Sequence, residues 1–129
     1  MEPLRREATP RSPLVEFDFD SGFFLMKGEI YPEDVSSFFG PLLEHLHRYL
    51  SECRNTEVKF DFVLQYFNSS SAKGLMNIFQ MLEAAADAGN RVEINWYYHE
   101  DDDTIFEAGE DFAEDLDKAR FVMQPMEAL

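Results

Sequence analysis

The sequence predicts an α/β fold: an N-terminal β-hairpin, then a parallel βαβαβ arrangement, with helices mainly on one face of a mixed sheet. Three observations carry this. Residues 14–20 alternate apolar and acidic side chains and lead through Ser21-Gly22 into a second strand-like run. Further strand-length segments are then separated by amphipathic stretches long enough to be crossover helices, and strands joined in that way run parallel. The strands also keep one polar face, whereas a sheet covered on both sides reads as continuous apolar runs.

In the first strand Val15, Phe17 and Phe19 share one face, and Glu16, Asp18 and Asp20 the other. A tight turn at Ser21-Gly22 sends Phe23 to Ile30 back as its hairpin partner. Tyr31-Pro32-Glu33-Asp34 is expected as a first helical turn, since proline is tolerated there and acids suit the positive end. The stripe Val35, Phe38, Phe39, Leu42, Leu46, Tyr49 and Leu50 faces a core, with Pro41 expected to kink the helix or delay its start to near Gly40. The strand Val58 to Tyr66 sets Val58, Phe60, Phe62, Leu64 and Tyr66 inward, with Val63 and Phe67 opposite. The next helix places Leu75, Ile78, Phe79 and Leu82 on its buried stripe and stops at Gly89-Asn90. Arg91 to His99 is a strand with Val92, Ile94 and Trp96 inward. After the acidic loop Glu100 to Asp103, a helix faces Ile105, Ala108, Phe112 and Leu116 to the core, and Ala119 to Gln124 closes the sheet.

At 129 residues the chain suits one domain, expected over residues 14–129. Residues 1–13 carry three prolines and three arginines without periodicity and are expected as a flexible N-terminal arm. The formal charge of −15 argues against nucleic acid and anionic lipid, and favours a protein partner with a basic face. A single cysteine, Cys53, excludes a disulfide framework and fits a reducing compartment. With no apolar run near the ~18 residues that cross a bilayer and no signal peptide, a cytoplasmic protein without membrane insertion is expected.

Catalytic signatures are poor. The serines at 69–71 lack the glycines of a nucleophile elbow, and His45 and His47 fall on different helical faces. Asp101, Asp102 and Asp103 lack the spacing of a calcium loop, and no glycine-rich phosphate loop occurs. No metal, no cofactor and no enzymatic activity are expected.

The informative segment runs from Tyr66 to Ile78. Asn68, Ser69, Ser70 and Ser71 lie between a strand and a helix start, where backbone N–H groups lack internal partners. A hydroxyl there caps the helix, and a phosphate there meets donors and a favourable dipole. One serine suffices for a cap, and three stand in a row. Phe67, Lys73 and Met76 fall off the buried stripe and would share a docking edge with these serines.

Tyr66-Phe67-Asn68-Ser69-Ser70-Ser71 followed by Ala72-Lys73-Gly74-Leu75-Met76-Asn77-Ile78 resembles the signature of SiaC-family regulatory phosphoproteins, small bacterial proteins related in fold to STAS domains. Weaker matches are Gly28-Glu29-Ile30-Tyr31-Pro32-Glu33, Trp96-Tyr97-Tyr98 and Glu110-Asp111-Phe112, together spanning about residues 12–124. The resemblance implies a STAS-like partner-switching regulator. A serine/threonine kinase of the anti-sigma-factor type would phosphorylate the residue after the asparagine, and a PP2C-like phosphatase would remove the phosphate. The unphosphorylated form would bind and activate a diguanylate cyclase, a GGDEF protein, raising cyclic di-GMP and favouring biofilm formation. By position the acceptor is Ser69, where the family often has Thr, with Ser70 and Ser71 as alternatives. The partner-binding set is Phe67, Asn68, Ser69, Ser70, Lys73 and Met76, with Ser70 and Ser71 expected to cap the helix. Rival readings are an anti-sigma-factor antagonist acting on a sigma-binding serine kinase, a small serine hydrolase, and a purely structural subunit.

Overall fold

The computed structural model describes residues 1–127. Six strands form one sheet in sequential order: β1 (Leu4–Arg6), β2 (Leu14–Asp18), β3 (Phe23–Ile30), β4 (Glu57–Phe67), β5 (Arg91–His99) and β6 (Arg120–Met126). β1, β2 and β3 pair antiparallel, and β3 to β6 run parallel. The crossovers are α1 (Val35–Glu52), α2 (Ser69–Asp87) and α3 (Asp103–Glu114). The mixed α/β sheet and its hairpin match the expectation, and the parallel part also takes in the second hairpin strand.

Registration stacks the apolar residues into rows across the strands. One row is Phe17, Phe24, Phe60, Ile94 and Phe121; the next is Val15, Met26, Phe62, Trp96 and Met123. These rows and the inner stripes of the helices form a single core. The opposite face presents rows such as Phe23, Lys59, Glu93 and Arg120, and it is polar enough to stay wet. Asn95 is buried on that face, and it is satisfied there: its amide donates to Asp61 and Glu93, and its oxygen accepts from Gln124. Buried polar groups require such partners.

Four expectations need correction. The arm over residues 1–13 contains β1, because three residues show no periodicity of their own yet find the open edge of β2. The carbonyl of Arg11 further accepts the Tyr31 N–H at 2.8 Å. Pro32 lies outside α1, which begins after the N-cap Asp34, whose carboxylate accepts from the Ser37 N–H and hydroxyl. These bonds to Ser37 hold the exposed Asp34 carboxyl below its usual range. The helix then starts at Val35 rather than near Gly40, and Pro41 lies inside it. Finally, Tyr66 points outward, 49 % exposed, and Phe67 points inward. The register between β3 and β4 slips after Gly28, so that Gly28 faces Leu64 while Glu29 faces Tyr66. Gln65 is the extra residue of a bulge, which inverts the alternation for the rest of β4. Gly28 has φ of +128°, open to glycine and strained for any other residue.

Candidate functional site

The N-termini of all three helices lie at the carboxyl ends of the parallel strands, the end where α/β sheets gather their sites. α2 follows β4 with only Asn68 between them. That residue is the cap: its side-chain oxygen accepts the Ser71 N–H at 2.9 Å, and its carbonyl accepts the Ala72 N–H at 3.0 Å. Its own N–H donates to Ile30, tying the turn to β3. The expectation that Ser70 and Ser71 cap the helix is therefore replaced by Asn68, which occupies the N-cap position with extended backbone, whereas Ser70 and Ser71 already lie inside α2.

The three serines occupy different environments. Ser69 and Ser70, the first two helical residues, are exposed. Ser71 is fully buried, and its hydroxyl has no hydrogen-bond partner. A modifying enzyme meets Ser69 and Ser70 on the folded protein and cannot meet Ser71. Ser69 also leads an exposed ridge along α2, because Lys73 and Met76 follow it by four and seven residues. Lys73 is exposed towards the side of α1, while Met76, 41 % exposed, lines a small cleft towards α3 with Phe112 and Leu116.

Phe67 does not supply the surface ring expected at the strand tip. It packs on Trp96 and Phe112 at ring-centroid distances of 6.3 and 5.9 Å. The exposed aromatic beside the serines is Tyr66, held edge-to-face against Tyr31 at 5.7 Å. Period-two reading hides Tyr66, and its neighbour Tyr31 shows no pattern in the sequence.

The other candidate groups are structural. Asp102 of the acidic loop caps α3 by accepting the Ile105 N–H at 3.1 Å. Among the described residues no cluster of His, Cys, Asp or Glu could hold a metal ion, and no helix is long and apolar enough to cross a membrane. Cys53 is the buried C-cap of α1, its thiol donating to the carbonyl of Tyr49 at 3.4 Å.

The chain and its fold have counterparts among known proteins. The model of the SiaC family of regulatory phosphoproteins matches residues 6–126. An uncharacterised protein of Pseudomonas aeruginosa, strain UCBPP-PA14, is 31% identical over 115 residues, covering 89% of this chain and 90% of its own length. The crystal structure of apo-SiaC from Pseudomonas aeruginosa superposes with a TM-score of 0.87 at 31% identity, covering 96% of this chain and 99% of that one. A SiaC chain from the crystal structure of the diguanylate cyclase SiaD in complex with its activator SiaC, also from Pseudomonas aeruginosa, gives 0.89 at 30% identity, over 95% and 99% of the two chains. With nearly its whole length matched in sequence and in shape, the chain belongs to the SiaC family of regulatory phosphoproteins.

Proposed function

We propose that this chain binds and activates a diguanylate cyclase while unphosphorylated, and that a phosphate on Ser69 releases the cyclase. Support comes from a similar SiaC, whose solved structure is a complex with the cyclase it activates. The observation that carries the reading to particular atoms is Ser69, exposed as the first residue of α2. A kinase of the anti-sigma-factor type can reach that hydroxyl without unfolding the domain, and a PP2C-like phosphatase can reach the ester. The protein acts by binding, in the cytoplasm, and not by catalysis.

The physical basis is local. Phosphorylation adds about −1.5 to −2 charges and three acceptor oxygens. The first N–H groups of α2 and the positive end of its dipole stabilise that charge in place. Lys73, one turn further along, is within reach of it as an i, i+4 partner. The core contributes nothing to the change, so the switch alters the docking surface and leaves the fold intact.

The test uses the cyclase recovered with the wild-type chain from the same cells, identified as a GGDEF protein and then purified. Ser69→Ala should bind it and stimulate cyclic di-GMP synthesis, and Ser69→Asp should do neither. Equal binding by the two variants refutes the switch, and recovery of a sigma-binding kinase in place of a cyclase supports the antagonist reading.

A further inference from the structure

Beside the switch, the outer surfaces of α1 and α2 leave a groove that continues down the molecule. Its upper stretch, about 420 Å³, passes Ser70, Lys73 and Asn77; its lower stretch, about 460 Å³, runs on to Arg54 and Ala88. Leu43 and Asn77 line both stretches, which makes them one corridor. From Ser70 to Ala88 it extends about 27 Å at 1.5 Å per helical residue. Phe39, Leu43, Leu50, Met81 and Ala85 give it an apolar floor.

The charge of this corridor is opposite to that of the protein. The chain has 26 acidic and 11 basic residues, yet neither stretch is lined by an Asp or Glu among the described residues. The acids within α1 and α2, Glu44, Glu52, Glu83 and Asp87, all fall outside the lining. Lys73 stands at one end and Arg54 at the other, neither within ion-pair distance of a carboxylate among the described residues. The Arg54 guanidinium instead donates to the carbonyls of Ser51 and Cys53 at 3.1 and 2.7 Å, which fixes its position and leaves its charge uncompensated.

We propose that this corridor is the docking surface for the cyclase, and that its occupant is an apolar segment carrying acidic side chains. The proposal rests on the reading above and names the partner chemistry of that same switch. Acidic flanks on the occupant would meet Lys73 and Arg54, whereas a basic segment would meet no carboxylate on the corridor walls. The sign of the switch follows. A phosphate on Ser69 brings negative charge to the corridor mouth and engages Lys73, so an acidic occupant loses a cation and gains repulsion. A basic occupant would be drawn in by phosphorylation, the reverse of release.

The experiment measures affinity for the purified cyclase with Arg54→Glu and Asn77→Glu. Lys27→Glu serves as the control, since it makes the same charge change as Arg54→Glu at an exposed site on the wet face of the sheet. Circular dichroism establishes that each variant is folded. Both corridor variants should bind about tenfold more weakly or worse, and Lys27→Glu within about twofold of wild type. Corridor variants that bind like wild type while Ser69→Asp still abolishes binding overturn this proposal and leave the switch standing. Tighter binding by Asn77→Glu overturns it as well, because the occupant is then basic. Loss of self-association on sedimentation, with cyclase binding intact, assigns the groove to a second copy and overturns it too. Ser69→Asp binding like wild type refutes the switch itself.

Discussion

Gly74 lies in the middle of α2, where propensity alone favours alanine by about 1 kcal/mol. Packing opposes that gain. A Cβ built on Gly74 would stand 2.6 Å from three atoms of the Phe39 ring. Ordinary carbon–carbon contact is about 3.5–4.0 Å, so the ring has to retreat by roughly 1 Å. It has little room, being 3 % exposed and packed edge-to-face on Phe38 at 4.9 Å. Overpacking of this kind costs about 1–3 kcal/mol. The steric term therefore wins, and Gly74→Ala should lower stability by about 1 kcal/mol, or some 3–6 °C in Tm for a domain of this size. Urea unfolding followed by circular dichroism measures it. Asn77→Ala, three residues on at an exposed position, is the control and should gain about 0.5 kcal/mol from propensity alone. A Gly74→Ala protein as stable as wild type would show that α1 does not rest on α2 through this glycine.

Three further outcomes follow from the contacts. Glu83 accepts the backbone N–H groups of Asp117, Lys118 and Ala119 at 2.8–3.0 Å, clamping the turn before β6 onto α2. Burial pushes its carboxyl up, but the three N–H donors and Lys118 outweigh this and leave its pKa lowered. A depressed folded pKa stabilises above the unfolded value and loses that contribution as pH falls through the folded one. Glu83→Gln should thus cost about 1–2 kcal/mol at pH 7, with the difference from wild type vanishing in urea titrations carried into acid. Ser71→Ala removes a buried hydroxyl that lacks a partner, so its stability should hold or rise by up to about 1 kcal/mol, with phosphate incorporation by the kinase unchanged by mass spectrometry. Phe67→Ala should cost about 3 kcal/mol in thermal unfolding, whereas Tyr66→Ala should stay within about 0.5 kcal/mol and weaken cyclase binding.

Local pattern was enough for the elements. Alternation in β2 and β5 and the three- and four-residue spacing in α2 depend on near neighbours in the chain, so the strands, the crossovers and the wet sheet face could be read in advance. The serine turn was legible for the same reason, as a short polar run between a strand and a helix. What stayed hidden depends on residues far apart in sequence. Tyr66 and Phe67 exchange faces because β3 pairs with β4 through a bulge at Gly28. Ser71 differs from its two neighbours because α2 docks with that side down, and β1 exists because β2 has an edge to offer. The acid-free corridor is the clearest case: its walls belong to two helices that are brought side by side only when Gly74 admits Phe39, and no stretch of chain taken alone contains it.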